Sequence, residues 1–340
     1  MHLLVTGANG FLGQYTVANA LQQGHQVRAV SRRSLPFGGQ QAHLTWVQAD
    51  LSKSPDQLLP LLDNIDAVVH LAAAVTGDFA TQYASTVKAT EHLLQAMSRS
   101  GVTKLIAISS FSVYDYHLIP ENNILDEASP LESVPEQRNI YTQMKLKQEQ
   151  LVREFAAHGG RVTILRPGMI YGPDHLCNAF FGTPIIERLW LRVGRHAQLP
   201  LTYVNHCADA IIQAIDCPTV TGQTLNIVDD DLPNQVTYTT LVRERLEKSV
   251  ISLVIPWPWM KHLANFVWSL NQSLGGRIRL PGLLTPAQLQ ARYKPLRYSN
   301  NKAKQMLGWQ PQNSLIEALD LSIDVPHELE CSEVVTLFKR

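Results

Sequence analysis

Tyr141 and Lys145 stand four residues apart in NIYTQMKLKQEQLVREF, a run with helical patterning, so both side chains fall on one helix face. The pairing suits proton transfer. A free tyrosine ionises near pH 10, and each unit of lowering needs about 1.4 kcal/mol of preference for the phenolate. A neighbouring ammonium supplies that preference, and a bound cation would add to it. Ser109 and Ser110 end the strand before this helix, where a hydroxyl could hold the substrate oxygen that gains or loses the proton.

A second constellation opens the chain, MHLLVTGANGFLG. Gly7, Gly10 and Gly13 recur every third position between the apolar run Leu3-Leu4-Val5 and a helical pattern from Phe11. Glycines in a strand-to-helix turn let a diphosphate approach the backbone, and the helix start holds its charge. One glycine makes the turn, one admits the phosphate and one allows close helix–strand packing. Asn9, Phe11 and Leu12 complete the candidate cofactor contacts of this turn. The second strand ends Val30-Ser31-Arg32-Arg33, with two arginines and no acid, which favours NADP over NAD. Asp50-Leu51, closing the third strand, either meets the adenine edge or caps a helix ahead of Ser52.

Short apolar runs alternate with helical patterns through the first half: HLLVTG, a helix over about 11–23, HQVRAVSR, LTWVQADL, IDAVVHLAAA, a helix over about 83–99, KLIAISS, a helix over about 139–157, and VTILRPG. This rhythm predicts an α/β fold, a doubly wound parallel sheet of Rossmann type. The dinucleotide-binding domain is expected over 1–173, with 202–228 returning to it. A smaller, mainly helical substrate-binding cap takes 174–201 and 229–330, and 331–340 form a tail. Within the cap, an apolar helical stretch runs to about Arg195. Its row Arg188, Arg192 and Arg195 reads as a solvated helix face or a diphosphate site.

Lys plus Arg and Asp plus Glu number 29 each, and no long charged run exists, which argues against nucleic acid as a partner. Cys177, Cys207, Cys217 and Cys331 are scattered, give no metal signature and suit a reducing compartment. The first strand begins at Met1, and a cytoplasmic location is the expectation. The most apolar stretch, 249–276, is interrupted by Pro256, Pro258, Lys261 and His262, too broken for a spanning helix. Trp259, Leu263, Phe266, Val267, Leu270 and Leu274 form one stripe at helical spacing, expected to pack on the protein. Contact with lipid is the less favoured use.

As a set, TGANGFLG (6–13), DL (50–51), HLAA (70–73), SSFSVY (109–114), DEASPLE (126–132), YTQMK (141–145), RPGMIYGP (166–173) and LGWQP (307–311) resemble the extended short-chain dehydrogenase/reductase family of NAD(P)-dependent epimerases and dehydratases. The resemblance spans about residues 1–322. It implies Ser110 as the catalytic hydroxyl with Ser109 its neighbour, Tyr141 as base and Lys145 as the ribose-binding lysine. It also implies cofactor contacts from Leu71, Ala72, Ala73, Pro167, Gly168 and Ile170. Two positions depart from the family pattern. Thr86 and Ala89 stand where Asn and Gly are usual, and Asn205-His206 replaces a His/Asp pair. The later half looks most like the 3β-hydroxysteroid dehydrogenase branch. The reading is an NADP(H)- or NAD(H)-dependent oxidoreductase on a secondary alcohol or ketone of an apolar small molecule. The alternatives are a nucleotide-sugar epimerase or dehydratase that retains its cofactor, and a non-catalytic dinucleotide sensor. The family implies a homodimer.

Overall fold

The computed structural model describes residues 1–33, 43–177, 183–186, 189–246, 251–278 and 280–323. The tail expected at 331–340 lies outside the described residues.

Leu3, Val5 and Leu4 alternate between two cores on opposite faces of one sheet. A strand buried on both faces needs neighbours on both sides and helices above and below, which is the parallel-sheet solution. Seven strands pair in the order Thr224–Ile227, Arg161–Pro167, Lys104–Ile108, Ala67–His70, His2–Thr6, Gln26–Ser31, Leu44–Gln48. Every pairing is parallel. The strand order reverses beside His2–Thr6, so the glycine turn sits at the switch point where such sheets open a crevice. LPLTYV does not join this sheet: Leu201–Tyr203 pairs with Met169–Tyr171 in a separate two-stranded ribbon.

The helix carrying Tyr141 runs Ile140–Ala157, and the Asn139 side chain accepts the Thr142 amide at 2.9 Å to start it. The helix expected near 83–99 begins earlier, at Phe79, passes through a π-helical stretch Tyr83–Lys88 and ends at Ser100 before Gly101, whose φ is 79°.

The cap departs from expectation. Where a helix to about Arg195 was expected, the chain forms strands Thr183–Ile186 and Leu189–Val193, and the second pairs in parallel with Ile251–Ile255. Short apolar runs do not distinguish a buried strand from a helix, and here pairing with Ile251–Ile255 decides it. Arg192 is therefore no solvated helix position. It is buried, with Nε and Nη2 unpaired. Arg195 is exposed, and Arg188 lies outside the described residues.

The stripe of helix Trp257–Ser273 is a second correction. Its buried residues are Trp257, Met260, Ala264 and Asn271, while Trp259, Leu263, Phe266 and Leu270 face outward, as does Leu274 just beyond the helix.

The LGWQP segment closes the fold. Trp309 is fully buried in the core on one sheet face and donates to the His206 carbonyl at 3.0 Å. His206 Nε2 accepts the amides of Gln312 and Asn313 at 3.2 and 3.1 Å, which assigns the ring proton to Nδ1, 2.8 Å from Asp229. His206 thus serves a packing role, tying helix Val204–Asp216 to the C-terminal segment. Trp309→Ala should cost about 3–5 kcal/mol of stability, read from the urea midpoint, because the core on that face cannot collapse over so large a hole.

Candidate active site

At the first turn, Gly7 holds φ 69°, and a Cβ there would stand 2.9 Å from the Ala72 amide. At Gly13 a Cβ would lie 2.2 Å from the Gly7 carbonyl, so nothing larger fits without moving backbone. Gly10 starts helix Phe11–Gln22 with no side-chain cap and no acid in the first turn. The helix N-terminus keeps its amides and dipole for an anion. Asn9 lends its carbonyl to Gln14, Phe11 stacks on His175 at 3.8 Å between centroids, and Leu12 packs beneath. This geometry fits the diphosphate of a dinucleotide.

Arg32 and Arg33 follow strand Gln26–Ser31 directly and are exposed; Arg32 donates to the Ser85 hydroxyl at 2.9 Å, and Ser31 accepts the Arg33 amide. Asp50 falls two residues beyond strand Leu44–Gln48 and accepts both the hydroxyl and the amide of Ser52. Burial raises its carboxyl, but these bonds with Lys53 and Arg32 outweigh that and hold it low. Leu51 is buried. Leu71, Ala72 and Ala73 continue from strand Ala67–His70, with Leu71 and Ala72 donating to Thr6. Thr86, the departure from the family pattern, accepts the Ala74 amide at 3.0 Å, so this segment keeps an anchor. Pro167 ends its strand; the Gly168 amide donates to the Thr202 hydroxyl, and Ile170 packs between two cores.

The two serines separate. Ser109 donates to Glu149 at 2.7 Å, which commits its hydrogen to a buried cluster. Ser110 accepts the Ser112 amide, and its hydroxyl acts on the Tyr141 phenol. Burial pushes the Tyr141 phenol up, and the Ser110 hydroxyl works against that. The Lys145 ammonium lies 6.0 Å from the Tyr141 ring centre rather than on its hydroxyl. Its bonds go to the Ile108 carbonyl and to Gln148 Oε1, both at 2.8 Å. The expected lysine support of the phenolate is therefore indirect here; Ser110 is the direct partner.

Sequence reasoning missed the groups behind this pair. Gln148 reaches from Lys145 to the Thr90 hydroxyl at 2.9 Å and lies 3.2 Å from His70 Nε2. His70 bonds Thr6 and Thr90, each at 2.8 Å. Burial, then the Lys145 charge, lowers His70 to about 3, so its ring is neutral. Glu149 takes Ser109, Arg153 and Arg166 together, and the Arg166 guanidinium lies 4.7 Å over the Tyr114 ring. Burial favours the neutral Glu149, but these donors hold it ionised. The one readable signal was position: Glu149 sits one helical turn beyond Lys145.

The insertion 115–138 is clamped to the site's edge. Arg138, buried, donates to the carbonyls of Tyr114 and Ser112 and to Glu132. Ile124–Leu125 pairs with Arg297–Tyr298, and Lys294 donates to the Tyr116 carbonyl at 2.7 Å.

A parallel sheet with a glycine cradle at its switch point, and a Ser–Tyr–Lys cluster beside it, defines a nicotinamide-dinucleotide enzyme. The model of the NAD dependent epimerase/dehydratase family matches residues 3–227, and the chain belongs to that family. Among curated relatives, 3 beta-hydroxysteroid dehydrogenase/Delta 5-->4-isomerase of Mycobacterium tuberculosis is 28% identical, covering 96% of this chain and 92% of its own. Sterol-4-alpha-carboxylate 3-dehydrogenase, decarboxylating, of Mus musculus is 24% identical over 96% and 91%. Among solved structures, MoeE5 in complex with UDP-glucuronic acid and NAD superposes with a TM-score of 0.70 at 23% identity, over 95% of this chain and 98% of its own. These structures share the fold.

Two measurements check this geometry. Gly13→Ala should weaken NADH binding by about tenfold or more in a fluorescence titration, since the first turn must shift. The second concerns Lys145, which burial lowers to about 7 although Glu149 raises it. Its folded value lies below the unfolded one, so the unfolded chain binds more protons between about pH 7 and 10.5 and stability from this group rises across that window. Lys145→Met should therefore stabilise the fold most below pH 7, with the gain fading as pH approaches 10.5 in urea titrations.

Proposed function

We propose that the chain is an NAD(P)(H)-dependent oxidoreductase interconverting a secondary alcohol and a ketone on an apolar, sterol-like or lipid-like small molecule. The observation that carries the reading is the placement of the Ser110 hydroxyl where it favours the Tyr141 phenolate, with Ser109 drawn away to Glu149. A bound nicotinamide supplies the hydride donor or acceptor, held by the Gly7–Gly13 turn and by Lys145 on its ribose. In the reducing direction Tyr141 gives its proton to the carbonyl oxygen while Ser110 holds that oxygen. In the oxidising direction the Tyr141 phenolate takes the alcohol proton. Lys145, fixed by Ile108 and Gln148, positions the ribose and contributes positive charge behind the phenol. The apolar substrate class is supported by the steroid- and sterol-named relatives. The exposed pair Arg32 and Arg33, with no acid at that strand end, supports NADP over NAD.

A second reading keeps the scaffold and retains the cofactor through an epimerase or dehydratase cycle on a nucleotide sugar. Arg192, buried with two guanidinium nitrogens unpaired, favours it, since an anionic substrate group would suit that cation.

Tyr141→Phe should lower turnover of hydrophobic ketones with NADPH by on the order of 10²–10⁴, with NADPH binding unchanged. Undiminished turnover would remove Tyr141 from the chemistry. Epimerisation of a nucleotide sugar without net NADPH consumption would favour the second reading. Replacing Arg32 and Arg33 together by Ala should weaken NADPH about tenfold while leaving NADH within error, by fluorescence titration.

A further inference from the structure

Helix Trp257–Ser273 lays its apolar stripe on the outside of the protein. Trp259 is 74% exposed, Phe266 68% and Leu274 66%, with Leu263 and Leu270 between them on the same side. A contiguous row of large apolar side chains in water marks a surface meant to be covered. Its neighbours in sequence are charged with one sign only. Along helix Trp257–Ser273 and on to Arg277 the sequence holds Lys261 and Arg277 but no Asp or Glu. Arg277 is exposed just beyond the helix. Lys261 is bridged at 2.6 Å to Glu121, which another segment brings in.

We infer that this face rests on the surface of an anionic lipid bilayer. The apolar row would sink among the acyl chains near the headgroups, with Trp259 at the interfacial level and Arg277 against lipid phosphate. In a symmetric pairing through this face Arg277 would meet a helix that carries no acid, so charge disfavours a second copy. Among the described residues no helix is long and apolar enough to cross a membrane, which leaves lying on the surface as the mode of contact. The inference stands apart from the reaction assigned above, although a bilayer would also bring a lipid-like substrate to the cap.

The test is flotation of the full chain with phosphatidylcholine vesicles, alone or with about one third phosphatidylglycerol, at low salt and at about 0.5 M salt. The protein should float with the anionic vesicles at low salt, with a blue-shifted tryptophan emission. Phe266→Ser combined with Leu270→Ser changes only exposed positions and should cut partitioning about tenfold, with NADPH binding retained. Arg277→Gln should weaken binding to anionic vesicles and leave neutral ones unaffected. Absence of flotation overturns the inference, as does flotation indifferent to the double substitution. If that substitution instead turns a dimer into a monomer in sedimentation, the face belongs to a second copy.

Discussion

Burying the Lys145 ammonium is the constraint around which this molecule is arranged. A desolvated cation costs several kcal/mol, which partners in fixed geometry offset in part. Here the partners are the carbonyl that ends strand Lys104–Ile108 and the amide of Gln148, one turn further along the same helix. Each partner is itself held. The strand end is set by sheet pairing, and Gln148 is set by Thr90 and His70. His70 in turn bonds Thr6, the residue immediately before the glycine turn. The helix that carries Tyr141 and the glycine turn are therefore ends of one buried polar chain.

The glycine spacing, the strand–helix rhythm and the Tyr141–Lys145 interval were readable because each reflects local geometry: a turn, a period, a helical face. Three kinds of information were not. Long-range polar partners such as Gln148 and Thr90, or Glu149 and Arg166, carry no local pattern, since their pairing exists only after the sheet has formed. The choice between Ser109 and Ser110 came from the resemblance; chemically they are equivalent until Glu149 takes one of them. In the cap, the run to Arg195 was too short and too apolar for period to tell strand from helix, and pairing with Ile251–Ile255 decided it. The stripe on Trp257–Ser273 teaches a related point. Period shows that a helix has an apolar side, but not which way the protein lies.

The cluster of Ser109, Glu149, Arg153 and Arg166 is a structural tie. It fixes the helix Ile140–Ala157 against strand Arg161–Pro167 through a carboxylate with several donors, which holds one register. Such rigidity is what the proton transfer proposed for Tyr141 would need, since an ångström of slack between phenol and substrate oxygen would lower the rate steeply.

The loop that holds Ile124–Leu125 is fastened by a strand about 170 residues further on, Arg297–Tyr298, and the Val204–Asp216 helix is locked by Trp309. On a ribosome that emits the N-terminal half first, the glycine turn and helix Ile140–Ala157 emerge before either fastening can be made. Those tethers are the last of these contacts open to the growing chain.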